Sequence, residues 1–415
     1  MQLRNRLAQT YDWYRRYIYS LLSFRRPPPL IFSHAPRYAH SLITQPPRPT
    51  HLPFDLQIEV TTTCNLRCIM CYGTMPMPPA RHLRFDAFQR VVDQIPNLYR
   101  VVPQGIGEPL LNPDLMAMVD YAARRGCAVD FHTNAMLLTE ARATRLIDDG
   151  LAALTVSIDA ATAETFEAIR PGSRFAQIVE NLERLRDMKR ARRARFPQLR
   201  FHVVAMKPNL AEMPDILRLA HRLDVEMVII SPVYAAAPSM EPLTVSPQEW
   251  QDLRQLDDLA RELGLALHFT IREVEELANG AAAPLLWPSD PLPRSAEPAA
   301  TPPASEPTPR ASSVRRRAPC RYPWTSMYVG VNGDVHPCCA SLASGGYKLG
   351  NVFEAPVNEI WWGEKYQAFR RRMTDAAAPW PDPCAVCPLV GKLASAATTE
   401  DQRGAPTSLP SSSLA

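Results

Sequence analysis

Between residues 55 and 270 strand-like and helix-like runs alternate, and that alternation restricts the fold of this 415-residue chain more than any other feature. The runs "DLQIEV", "RVVPQGI", "CAVDFHT", "LAALTVSID", "RFHVVAM" and "EMVIISPV" are short and apolar, with the β-branched residues that strands favour. Between them lie "FDAFQRVVDQI", "NPDLMAMVDYAARRG", "LTEARATRLIDDG" and "FAQIVENLERLRDMKRARR", which read as helices. Six strand-then-helix units of roughly 30–40 residues predict an α/β fold with a parallel sheet, doubly wound or barrel-like. The last unit ends near "VSPQEWQDLRQLDDLARELGL", where Ser246 can cap a helix beginning at Pro247.

The flanks do not share this pattern. Residues 1–50 form an N-terminal extension in which Leu3, Leu7, Tyr11, Tyr14, Ile18 and Leu21 recur at helical spacing and predict a short amphipathic helix. Pro-rich coil follows at 27–29 and 46–53. Residues 276–319 are rich in Pro, Ala and Ser and bury too little apolar surface to fold, so they read as a linker. A small cysteine-bearing unit spans 320–391, in which "YVGVNGDVHP" signals a hairpin with Asn332-Gly333 at a type I′ turn. Residues 392–415 read as a disordered tail.

A hydrophobic content of 46% and a charged content of 21% are those of a soluble globular protein. The formal charge of +4 is small and spread out, which argues against nucleic-acid partners and anionic membranes. No apolar run approaches the roughly 18 residues of a transmembrane segment. The first residues lack the apolar core and cleavage site of a signal peptide. A cytoplasmic protein is therefore expected, and there clustered cysteines are metal ligands or catalysts more often than disulfides.

Eight of the nine cysteines fall in two groups; the ninth, Cys127, reads as a small buried hydrophobe within a strand. In "EVTTTCNLRCIMCYG", Cys64, Cys68 and Cys71 lie between a strand and a helix, at the carboxyl end of the strand where α/β folds place active sites. Three thiolates do not close a tetrahedral zinc site unless a distant ligand such as His82 or His132 completes it. On a cubane iron–sulfur cluster they leave one iron open to an external ligand.

"CNLRCIMCY" resembles the signature of the radical S-adenosylmethionine superfamily, with Met70 at a position that is often aromatic there. The resemblance implies a partial (β/α)6 TIM-like barrel over residues 51–275. It also implies a 4Fe–4S cluster on the three cysteines, and S-adenosylmethionine chelated at the open iron. Further stretches at successive strand ends are similar to the family's cofactor contacts. They are Gly105, Gly107, Glu108 and Pro109 in "GIGEP", Thr133 and Asn134 in "HTN", Ser157 and Asp159 in "VSID", and Arg170 in "IRPGSRF". By that resemblance Glu108 pairs with the cofactor's amino group and Arg170 approaches its carboxylate.

Cys320, Cys338, Cys384 and Cys387 make a second set, C-x17-C…C-x2-C, whose bare spacing fits a zinc ribbon as well as an iron–sulfur cluster. "YVGVNGDVHPCC", "GNVFEAPVNEIWWGEKYQAFRRRM" and "PCAVCP" are similar to the SPASM and twitch extensions of the superfamily. These imply one auxiliary 4Fe–4S cluster, with Cys339 spare or replacing Cys338. "EIWWGEKYQAF" is expected to be a helix packing the small domain.

The resemblance implies a radical oxidoreductase in which the cofactor radical abstracts a substrate hydrogen and the auxiliary cluster accepts the second electron. An electron donor such as flavodoxin or ferredoxin is implied as a partner. The N-terminal extension is shorter than the recognition domain common in peptide-modifying members, which favours small-molecule dehydrogenation. A peptide- or protein-modifying maturase is the alternative, and a zinc or iron–sulfur scaffold the non-enzyme one. His202, Tyr234, His268 and Arg170 are candidates to accept the substrate proton.

Overall fold

A computed structural model describes residues 30–71, 79–233, 238–270, 320–339, 341, 347–381 and 384. The amphipathic helix expected over residues 3–21, the linker from 276 to 319, the tail, Tyr234 and Cys387 lie outside the described residues.

All six expected strands form: β1 Asp55–Ile58, β2 Arg100–Pro103, β3 Ala128–Thr133, β4 Ala153–Ser157, β5 Gln198–Ala205 and β6 Met227–Pro232. Each pairs in parallel with the next. Helices pack on one face. In β5 Leu199, Phe201, Val203 and Ala205 are buried, while Gln198, Arg200, His202 and Val204 alternate with them on the other face, the period-two signature of a strand with two unlike sides. The Ser246 cap is present: Ser246 Oγ accepts from Glu249 N at 3.2 Å, and Glu249 Oε2 accepts from Ser246 N at 2.6 Å.

The sheet is larger than the expected six strands. A seventh parallel strand, β7 Ala266–Phe269, adds beside β6. At the opposite edge β8 Ser326–Val329, from the cysteine-bearing unit, pairs in parallel with β1, with Asp55 opposite Ser326. β9 Asp334–His336 and β10 Gly350–Asn351 follow antiparallel, giving the order β10-β9-β8-β1-β2-β3-β4-β5-β6-β7. The core is continuous across this junction, joining Leu56 and Val101 with Trp324, Met327, Trp361 and Phe369. The C-terminal unit thus extends the barrel sheet.

Two local expectations change. The β8–β9 turn is not type I′, which needs two left-handed residues. Only Gly333 is left-handed (φ 85°), and the turn is closed by Gly333 N to Gly330 O at 2.8 Å. "EIWWGEKYQAF" forms two helices, Val357–Trp361 and Glu364–Thr374, which break at Gly363.

The extension contains a helix, Leu30–Thr44, and a strap after it. Three indoles of the C-terminal unit hold the strap's carbonyls: Trp324 on Pro46 O (2.8 Å), Trp362 on Pro49 O (2.8 Å) and Trp361 on His51 O (2.7 Å). Buried Arg370 lies 4.3 Å from the ring centres of both Trp361 and Tyr366. It donates to the carbonyls of Pro323, Pro47 and Trp361.

Candidate active site

The loop after β1 carries Cys64, Cys68 and Cys71, and its backbone is fastened on two sides. Arg67 N donates to Pro171 O (3.1 Å) and Ile69 N to Ile169 O (3.0 Å). Gly107 N and Glu108 N donate to Thr61 O (3.2 Å) and Thr63 O (2.8 Å). A Cβ on Gly107 would stand 2.5 Å from both of those carbonyl oxygens, so only glycine permits this approach.

The residues expected at successive strand ends surround this loop. Glu108 is buried, and its carboxylate accepts from Leu110 N (3.2 Å), Thr133 Oγ1 (2.7 Å) and Asn134 N (2.8 Å). A carboxylate offers about four lone-pair sites. Two are therefore spent on fixing the end of β3 and one on capping the short helix Pro109–Leu111, and room for an ammonium is narrower than the motif implies. Burial raises the pKa of Glu108 against the pull of those donors. Asn134 Nδ2 reaches Asn65 Oδ1 at 2.9 Å, tying β3 to the residue after Cys64.

Asp159, fully buried, receives Arg170 through Nε at 2.7 Å and Nη2 at 2.5 Å, and Val204 N at 2.8 Å. Arg170 Nη1 also lies 3.5 Å from Cys68 Sγ. Burial opposes the charge of Arg170, but Asp159 and then Cys68 outweigh it and raise its pKa. Arg170 is thus committed to Asp159 and a cysteine sulfur, where the motif implies a cofactor carboxylate. Ser157, half-buried, ends β4 with no such ties among the described residues.

Burial pushes the Cys68 thiol up to about 11 and raises Cys64 as well; the neighbouring thiols add to this and Arg170 opposes it. Among the described residues no three His, Cys, Asp or Glu side chains converge on a single-ion position. A cubane is a body with irons at its corners, so its thiolates stand apart around it. Three soft ligands on one fastened loop, with a guanidinium beside one of them, fit such a cluster.

Cys320, Cys338, Cys339 and Cys384 come together at the other end of the sheet. Burial raises the Cys338 thiol, and Cys339, Cys320 and Cys384 add to that. Cys339 is exposed while Cys384 is buried.

Sequence reasoning missed Glu59, Asn65 and Ser231, and named His132 as a possible zinc ligand and His202 and His268 as proton acceptors without joining them into one polar group on the sheet face turned from the helices. There His132 and His202 stand with ring centres 5.2 Å apart, and His202 Nε2 lies 2.9 Å from Ser231 Oγ. Burial, then His202, lowers His132 to about 3, and burial lowers His202. His268 follows on β7. The only available signal was polarity at alternate positions of otherwise apolar strands.

Residues 58–220 match the family model of the radical SAM superfamily, and residues 320–388 match that of the SPASM iron–sulfur cluster-binding domain. The chain is a radical SAM protein. Its cofactors are S-adenosylmethionine and 4Fe–4S clusters. The chain is similar to mycofactocin maturase MftC of Mycobacterium ulcerans, 31% identical over 171 residues. That match covers 41% of this chain and 45% of the mycobacterial protein, so the chain spans less than half the length of that relative. A longer match, 25% identical over 76% of this chain and 82% of the relative, is to the tungsten-containing aldehyde ferredoxin oxidoreductase cofactor-modifying protein of Pyrococcus furiosus. The fold is that of Streptococcus suis SuiB bound to precursor peptide SuiA, with a TM-score of 0.59, 14% identity and coverage of 88% of this chain and 76% of SuiB. No helix among the described residues is long and apolar enough to cross a membrane.

Proposed function

We propose that this radical SAM enzyme is a maturase that modifies a peptide or protein substrate. The observation that carries the reading is the 31% identity to mycofactocin maturases over 171 to 182 residues. It outweighs the expectation of small-molecule dehydrogenation, which rested on the shortness of the N-terminal extension. The strap at 46–51 of that extension is spent on the C-terminal unit.

In this reading Cys64, Cys68 and Cys71 hold the cluster that binds S-adenosylmethionine, and Cys320, Cys338, Cys384 and Cys387 hold the auxiliary one. When bound, the first cluster and S-adenosylmethionine supply a carbon radical able to abstract hydrogen from an unactivated position. The chain's own residues position and exclude. Asp159 fixes Arg170 beside Cys68, while Glu108 and Asn134 fix the end of β3 against the triplet loop. The two histidines, held neutral by burial, face the interior with Ser231 and offer hydrogen-bonding nitrogens without adding charge.

The test is anaerobic reconstitution with iron and sulfide, then incubation with S-adenosylmethionine, a reductant and size-separated lysate fractions. Formation of 5′-deoxyadenosine in step with a mass change in a peptide or protein is expected. Turnover only with the fraction below about 1 kDa, and no peptide changed, restores the small-molecule reading.

A further inference from the structure

Glu59, immediately after β1, is 5% exposed, a position where carboxylates are rare unless they are used. Its two oxygens serve two different parts of the protein. Oε1 accepts from Ile106 N at 3.0 Å, inside Gly105–Pro109. Oε2 accepts from Val331 N at 3.2 Å, in the β8–β9 turn of the C-terminal unit. Its own N–H donates to Val329 O at 2.8 Å.

One glycine leaves room for this side chain: a Cβ on Gly105 would fall 2.2 Å from Glu59 Cγ. Both ends of the link are stiff. The Gly105–Pro109 loop is bonded to Thr61 and Thr63 on the triplet loop, and the β8–β9 turn is closed at Gly330 and leads into Cys338.

We infer that Glu59 is a positioning residue that couples the two cysteine sites, so that affinity for S-adenosylmethionine at the first depends on the state of the second. One carboxylate holds Ile106 and Val331 at once, so a shift of the turn is passed to the cofactor loop through a single rigid group. Two N–H donors need two acceptors, and a glutamine offers one acceptor and one donor, so Glu59→Gln cuts one of the two ties at little change in shape. The inference rests on the assignment of Cys384 to the auxiliary cluster and is independent of what the substrate is.

The experiment is a four-protein cycle on the reconstituted full chain: wild type, Cys384→Ala, Glu59→Gln and the double variant. Dissociation constants for S-adenosylmethionine come from equilibrium dialysis, with no substrate present. Cys384→Ala is expected to weaken binding about fivefold or more in the wild-type background and by less than about twofold in Glu59→Gln. Amide exchange at Ile106 and Val331 is expected to rise together in Glu59→Gln. Gly105→Ala, which pushes the same carboxylate aside, is expected to abolish the coupling in the same way. An unchanged constant in Cys384→Ala overturns the inference, and so does an effect of Cys384→Ala that persists in full in either background.

Discussion

Cys64, Cys68 and Cys71 occupy eight consecutive residues on one loop, whereas Cys320, Cys338 and Cys384 arrive from three separate segments. The first group is fastened by backbone hydrogen bonds to residues 169–171 and has a guanidinium 3.5 Å from one sulfur. The second is surrounded by burial and by other thiols. In the same unit Arg370 turns its Nε and Nη1 donors to carbonyl oxygens. A local motif needs only its own loop to exist, but an assembled site exists only when the sheet, the two C-terminal helices and the strap have docked. The difference suggests that the first site controls cofactor chemistry through charge, and the second depends on the integrity of the fold.

Removing ligands is the severest way to break this comparison. Cys68→Ala is expected to lower iron by about four per chain and abolish 5′-deoxyadenosine formation. Cys384→Ala is expected to lose a similar amount of iron, keep part of the cofactor cleavage and form no product, as read by iron analysis and chromatography. If both variants lose cleavage entirely, the two sites do not differ in role.

Asp159→Asn strips the partner from buried Arg170 and is expected to destabilise the fold by roughly 3–5 kcal/mol in denaturant titration. Arg370→Met keeps volume but loses three carbonyl contacts and two ring contacts, with an expected cost of roughly 2–4 kcal/mol. Limited proteolysis should then cut the strap near residues 46–51 while the triplet loop stays protected. Cutting at both places would show that the two regions fold as one unit.

His132 gives a pH signature. Its folded pKa is depressed to about 3, so the unfolded chain takes up a proton near pH 6.5 that the folded one refuses. That stability is present above about pH 6.5 and lost as pH falls, by roughly 2 kcal/mol at pH 5. His132→Gln is expected to flatten the fall in thermal midpoint between pH 7 and pH 5.

The smallest effect belongs to the C-terminal unit, where Tyr328 Oη is buried without a hydrogen-bond partner among the described residues. Tyr328→Phe is expected to leave stability unchanged or raise it by up to about 1 kcal/mol. A loss of that size in the reconstituted protein would show that the cluster-loaded state supplies a partner.

Six strands were legible because each is an apolar, β-branched run in a regular alternation with helix-like runs. β7 was not, since it is four residues long and begins at exposed Ala266. The helix Leu30–Thr44 was masked by Pro36 within it and by the prolines around it. Glu59 and Asn65 looked like ordinary polar residues of a strand end, because their partners, Ile106, Val331 and Asn134, are remote in sequence.

By itself the sequence determined what is local: the alternation that makes a parallel sheet, the cap at Ser246 and the spacing that sets three thiols on one loop. These follow from periods of 2 and 3.6 residues and from reach along the chain. Tertiary structure alone decided that β8 joins β1, that Glu108 and Arg170 spend their charges mainly on protein partners, and that one carboxylate touches both cysteine-bearing regions. Hydrogen bonds between distant segments are fixed by how the elements pack, and no spacing rule encodes that.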